Sequence, residues 1–189
     1  MRKNRFDDAR IPFDGDSFVR RLLNELTGVL QDVIGYQEAR GFIAIVGARI
    51  GDAFNDAYRE AVGNRPLNRE EVADAMVDLK RRIGGGFQVS EQSSTEIVLE
   101  NSRCPFGESV EGRPTLCMMT SNVFGRIAAE NLGYAKVSID EAIANGDKRC
   151  LVRVLVDITK ARATASGREY FRVGSQREGG CAPEPPSGQ

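Results

Sequence analysis

The spacing of apolar residues changes after the glycine run at 84–86, and this change limits the folds that the chain can adopt. Up to residue 83, apolar residues recur at the helical period of about 3.6 residues. After the glycine run at 84–86 they alternate with polar residues, as they do in half-buried strands. Helices followed by strands are typical of α+β folds and not of alternating α/β folds. We therefore predict an α+β fold, in which N-terminal helices pack on an antiparallel sheet with an embedded helix.

The predicted elements follow from this periodicity and from local start and stop signals. The clearest helix start is Asn68, because Glu71 follows it at the capping-box spacing. Helices are expected at 16–34, 37–62, 68–83 and 116–131, with a shorter one at 139–144, and strands at 87–90, 95–100, 134–137 and 150–158. Apolar content falls after residue 160, and the last residues have a disordered composition. We expect a flexible N-terminus over 1–13, one sensory α+β domain over 14–160, and a disordered tail over 161–189.

Two glycines interrupt the apolar side of the second helix. Glycine costs roughly 1 kcal/mol relative to alanine inside a helix, so Gly47 and Gly51 need a compensating reason. We expect another backbone to approach closely there, either in the same chain or from the same helix of a second subunit. The second alternative predicts a homodimer that forms through the first two helices.

Charge and composition exclude several classes of function. The chain of 189 residues has a net charge of −1 and no histidine. The small charge gives no electrostatic attraction for nucleic acid or membranes, and no apolar run reaches the ~20 residues of a membrane span. The charged N-terminus indicates no signal peptide, so we expect a cytoplasmic protein without nucleic-acid or membrane partners. The absence of histidine excludes Ser-His-Asp and Cys-His systems and histidine-ligated metals, so an ordinary hydrolase or transferase is not expected.

Three of the four cysteines lie at the ends of predicted elements. Cys104 begins the loop sequence Cys-Pro-Phe-Gly, Cys117 lies in the first turn of a helix, and Cys150 begins the longest strand. A helix start favours a thiolate, so we expect a lowered pKa for Cys117. We predict that these three cysteines form one metal or cofactor site. Cys181 lies in the predicted tail and is excluded from the site.

Three thiolates can support more than one chemistry. An iron–sulfur cluster with one open position is slightly favoured. Zinc is the alternative, with Asp147, Glu141 or Glu108 as the fourth ligand. A metal-free redox pair such as Cys104 with Cys117 is the third interpretation, and three buried free thiols are the fourth.

Four short motifs around these cysteines resemble a known family. They are Cys104-Pro-Phe-Gly, Pro114-Thr-Leu-Cys117-Met-Met-Thr-Ser-Asn-Val-Phe-Gly, Gly133-Tyr and Asn145-Gly-Asp-Lys-Arg-Cys150. Together they resemble the methanogen output domain family, which is similar to the 4-vinyl-reductase-type small-molecule-binding domains. The resemblance covers roughly 14–158. It implies an α+β ligand-binding module that works beside signalling or transcription machinery.

The resemblance also bears on the metal and the assembly. The vinyl-reductase relatives dimerise through N-terminal helices and can carry a zinc site of cysteine and glutamate. Where those relatives have glutamate and cysteine, this chain has Ile139 and Ala142. Cys117 and Cys150 lie at the relatives' zinc positions, and Cys104 is a candidate to replace the missing ligands.

Taken together, these features predict a cytoplasmic sensory or regulatory domain. It would detect redox state or a small ligand through Cys104, Cys117 and Cys150, form a homodimer, and act on a separate signalling or transcription protein. An enzyme is not the favoured interpretation. The rival hypothesis from another class is a small redox enzyme or metallochaperone with an open-site cluster.

Overall fold

The computed structural model describes residues 14–107, 110 and 114–173 and has helices first and strands afterwards. The elements are α1 (Gly15–Ile34), α2 (Tyr36–Ala61), α3 (Arg69–Arg82), β1 (Phe87–Gln92), β2 (Glu96–Asn101), α4 (Cys117–Leu132), β3 (Tyr134–Glu141), β4 (Cys150–Leu155), α5 (Ile158–Arg162) and β5 (Arg168–Phe171). Short 3-10 turns occupy Pro114–Leu116 and Ile143–Asn145. This order confirms the predicted α+β class with an embedded helix.

The five strands form one antiparallel sheet in the order β1-β2-β4-β3-β5. Apolar side chains at paired positions, such as Leu99 opposite Val152, are buried on one face. Helices α3 and α4 cover this face, and the Phe87 and Phe124 rings meet edge to face with centroids 5.7 Å apart. The core therefore lies between the sheet and these two helices, with α2 packed across α4.

The helix starts follow the local capping signals. The Asp14 side chain accepts a hydrogen bond from the Ser17 backbone N–H, and the Ser17 hydroxyl bonds back to Asp14. Asn68 and Glu71 form the corresponding capping box at the start of α3. Such pairs satisfy backbone donors that have no partner inside the helix. These starts can be predicted because both partners are three residues apart.

The two helical glycines contact α4 of their own chain. A Cβ at Gly47 would lie 2.9 Å from Cβ of Asn122, and one at Gly51 would lie 2.9 Å from Cβ of Arg126. The predicted close approach is therefore present, but α4 supplies the neighbouring backbone. The alternative that placed these glycines in an interface with a second subunit is wrong.

The second half of the fold differs from the prediction in two places. Strand β3 continues to Glu141 and only a 3-10 turn follows, so the helix expected at 139–144 is wrong. Ile139 pairs with Val152 in β4, and this pairing extends the strand past its predicted end. The domain boundary expected at residue 160 is also too early, because β5 pairs with β3. Residues 1–13 and 174–189, which include Cys181, lie outside the described residues.

Helix α1 turns its apolar residues away from the core. Its buried side chains are the polar Asn24 and Thr27, whereas Leu26 and Val33 are 58% and 75% exposed. Phe18, Val19, Leu22 and Val29 are exposed as well. No helix in the part of the chain that the structure describes is long and apolar enough to cross a membrane.

Candidate functional site

A small cavity beneath one end of the sheet brings the three predicted cysteines together. Its volume is about 30 Å³, and its walls come from the ends of β2 and β4, the loop after β2 and the start of α4. The lining residues are Phe87, Asn101, Cys104, Pro105, Phe106, Val110, Leu116, Cys117, Thr120, Ile139, Cys150 and Val152. All three cysteines are free thiols and partly exposed. Their prediction as ligands stays a prediction, but they do share one cavity.

Each cysteine is positioned by a different element end. Cys104 opens a turn in which its carbonyl accepts a hydrogen bond from the Gly107 N–H at 3.1 Å, and Gly107 has a positive φ of 76° that suits glycine. Cys117 is the first residue of α4. Cys150 begins β4, and its Sγ accepts a hydrogen bond from the Ile143 N–H at 3.5 Å. Three separate backbone constraints therefore hold the thiols around the cavity.

Burial dominates the electrostatics of the thiols. Burial, together with the smaller repulsion from Cys150 and Cys104, raises the pKa of Cys117 to about 12, although Lys80 acts in the opposite direction. The pKa of Cys104 is also raised, chiefly by burial. The prediction of a lowered pKa for Cys117 is wrong, because desolvation outweighs the field of the helix start. Cys117 is therefore a neutral thiol at pH 7 when no metal ion is bound.

Lys80 lies beside the three thiols, although the sequence analysis does not identify it. The residue is 3% exposed, and its Nζ donates to Thr120 Oγ1 at 2.7 Å. The ammonium also lies 5.3 Å and 5.4 Å from the ring centroids of Phe87 and Phe124. Burial lowers the pKa of Lys80 to about 8, an effect that the three cysteine thiolates oppose.

A signal for Lys80 is nevertheless present in the sequence. It follows Met76 by four residues, so the helical period places it on the buried side of α3.

Asn101 completes the polar wall of the cavity. Its Oδ1 accepts hydrogen bonds from the backbone N–H groups of Gly86 and Arg103, both at 3.0 Å. The side chain is buried, and its Nδ2 has no hydrogen-bond partner among the described residues. Asn101 stands directly opposite Cys150 in the β2–β4 ladder, where cross-strand side chains share a face. An uncommitted donor therefore lies beside the Cys150 thiol.

The comparison with protein families agrees with the resemblance around the cysteines. The model of methanogen output domain 1 matches residues 22–155 of the chain. The chain belongs to this family. The matched span contains Lys80, Asn101 and all three cavity cysteines.

Other comparisons bear on the fold. None of the curated proteins matches this methanogen output domain. Among solved structures, it is similar to a trafficking protein particle complex subunit 3 from Naegleria fowleri covalently bound to palmitic acid. The two are 17% identical with a TM-score of 0.52, over 82% of this chain and 99% of that chain. This likeness shows a shared fold.

The three thiols of the methanogen output domain are suitable ligands for a soft metal ion, but their side chains are not arranged around a common metal position. Thiolates are the ligands that zinc and other soft ions prefer. Among the described residues, however, no three Cys, Asp or Glu side chains already stand in the arrangement of a metal site. Asp147 accepts a hydrogen bond from the Ala142 N–H, and Glu141 pairs with Arg149. Glu108 lies outside the described residues. Metal binding would thus require the cysteine side chains to close on the ion.

Proposed function

We propose that this methanogen output domain is a sensory or regulatory domain that responds to a thiophilic signal at its three-cysteine cavity. One observation carries the proposal, namely that Cys104, Cys117 and Cys150 come from three separate elements and line one small cavity. Unlike thiols scattered through a core, these three also interact electrostatically with one another. Mutual repulsion of thiolates is relieved by a bound cation, so the cavity suits a cationic occupant.

A single soft divalent ion such as zinc is the occupant that these features support best. A cavity of about 30 Å³ holds only one or two water-sized groups, since one water needs roughly 10–15 Å³, whereas an iron–sulfur cluster brings several iron and sulfide atoms. The cluster interpretation is therefore less favoured. A metal-free redox pair is also less favoured, because the raised pKa of Cys117 and Cys104 leaves little of the reactive thiolate.

The palmitic acid of the structural neighbour is not proposed as a ligand of the cysteine cavity. A cavity of about 30 Å³ has no room for a long acyl chain. We therefore propose a small occupant in which the three sulfurs are the first ligands and a fourth position stays open. An open position would let a signal molecule reach the ion.

Metal analysis of the full chain tests this proposal. Protein purified without oxygen should be colourless and should bind about one equivalent of zinc or cadmium, the latter with a thiolate-to-metal charge-transfer band. Cys117→Ser should abolish that band. Cys181→Ser is the matched control and should leave it unchanged.

Three other results would decide against a single ion. A brown sample with iron and acid-labile sulfide would support the cluster instead. Absence of any metal uptake, together with a disulfide formed in air, would support the redox pair. Three unreactive thiols that bind no metal would end the sensory-site proposal.

We further propose that the domain acts as a homodimer and passes its signal to a separate protein. The exposed apolar residues of α1 continue onto α2, where Phe42 and Ile45 are each 57% exposed. A second copy offers the same apolar face and can cover it symmetrically. Occupancy of the cavity would then shift a two-state equilibrium at α4, which begins with Cys117 and packs on α2.

A further inference from the structure

A buried lysine with no acidic partner among the described residues needs an explanation. Lysine is almost never fully buried unless its charge is paired, yet Lys80 forms no salt bridge with any described Asp or Glu. Its described hydrogen bond goes to a neutral hydroxyl, Thr120 Oγ1. The two aromatic rings beside it offer only weak cation–π attraction.

A second buried lysine shows the ordinary solution. Lys136 is 7% exposed, and its Nζ donates to the carbonyl oxygens of Ala161 and Thr164 at 3.0 Å and 2.6 Å. Two backbone acceptors satisfy that ammonium and tie α5 to β3. In the part of the chain that the structure describes, Lys80 has no comparable pair of acceptors, so packing against these residues alone does not account for it.

The three cavity sulfurs are the described groups that become anionic beside Lys80 when a metal ion displaces their protons. The thiolates of Cys104, Cys150 and Cys117 all interact electrostatically with its ammonium. Three thiolates around a divalent ion carry one net negative charge, which a single ammonium neutralises. The uncommitted Nδ2 of Asn101 is an independent sign of the same occupant, because a buried donor requires an acceptor.

We infer that Lys80 is the charge-balancing residue of the cysteine site, and that Asn101 Nδ2 donates a hydrogen bond to the Cys150 sulfur when the site is filled. Both are positioning residues that hold the sulfurs as ligands without touching the ion. This inference rests on the proposed function, and it adds a preference for divalent ions. A monovalent ion would leave an uncompensated negative charge in the same cavity.

Cadmium titration of the full chain tests the role of Lys80. Lys80→Met keeps the length of the side chain and removes the charge, so cadmium affinity should fall about 10- to 100-fold, as is usual when a group behind a ligand is lost. Lys80→Gln keeps a polar head without charge and should weaken binding similarly. Lys136→Met removes a buried lysine elsewhere and should bind cadmium like the wild type. Binding by both Lys80 variants within about threefold of the wild type would overturn the inference.

A metal-independent measurement separates this inference from the proposed function. If the wild type binds no cadmium, the proposed metal site fails, and alkylation of each cysteine by neutral iodoacetamide at one fixed pH decides the role of Lys80. The charge-balancing role predicts that Lys80→Met slows alkylation of the cavity cysteines about tenfold, equivalent to one pKa unit, while Lys136→Met does not. Equal rates in the wild type and Lys80→Met would then overturn the inference.

Discussion

At the scale of single residues, Lys80 is expected to lower the stability of the folded chain at neutral pH. Its pKa is about 8 in the fold, against the ordinary lysine value of 10.5. Below pH 8 both the folded and the unfolded chain bind the proton, so the full cost of burying the charge is present. Between pH 8 and 10.5 only the unfolded chain binds it, and the contribution of Lys80 to stability rises with pH.

This pH dependence of the contribution of Lys80 to stability yields a prediction for Lys80→Met. In chelator-treated protein, the variant should be more stable than the wild type at pH 7 by roughly 3 kcal/mol, the equivalent of this pKa shift. The advantage should shrink as the pH rises from 8 to 10.5. Urea unfolding of both proteins under reducing conditions measures the difference. A variant that is less stable at pH 7 would show that Lys80 is a structural residue.

At the scale of elements, the contact between α2 and α4 positions the cavity. Helix α4 supplies Cys117 and Thr120 to the cavity wall, and α2 packs across it through Gly47 and Gly51. An added Cβ at Gly47 would also lie 3.2 Å from Cα of Met119, so the backbone of α4 would have to move. The close packing of α2 on α4 therefore depends on the absence of a side chain at Gly47 and Gly51.

Two glycines of the same helix provide a matched test. Gly41 is exposed and has no atom within 4 Å of an added Cβ. Gly41→Ala should therefore stabilise the chain by up to about 1 kcal/mol through helix propensity. Gly47→Ala should destabilise it by about 1–3 kcal/mol through overpacking against α4. Urea unfolding gives both values, and equal stabilisation by the two changes would contradict the α2–α4 packing.

At the scale of the whole molecule, the exposed apolar face of α1 predicts self-association. We expect light scattering at micromolar concentration to give twice the chain mass of 20.7 kDa. The double variant Leu26→Glu/Val33→Glu should be monomeric and folded, because both side chains are exposed in the single chain. Ile158→Glu, at an exposed apolar residue of α5, is the control and should stay dimeric. A wild-type monomer would end the homodimer proposal.

The sequence by itself determined the features that depend on neighbouring residues. Both capping boxes join residues three apart, and the change of apolar period separates the helices from the strands. The placement of Cys104, Cys117 and Cys150 at element ends follows from the same local signals. Backbone hydrogen bonding within a few residues decides all of these features, so they can be read without the fold.

Only the tertiary structure decided the features that depend on distant contacts. The partner of Gly47 is α4, far along the chain, and β3 is lengthened by its pairing with β4. Lys80 joins the cysteine site because α3 packs against the start of α4. The pKa of Cys117 is raised because the surrounding chain removes water from the thiol. Desolvation and close packing are set by residues remote in sequence, so no local pattern around a residue specifies them.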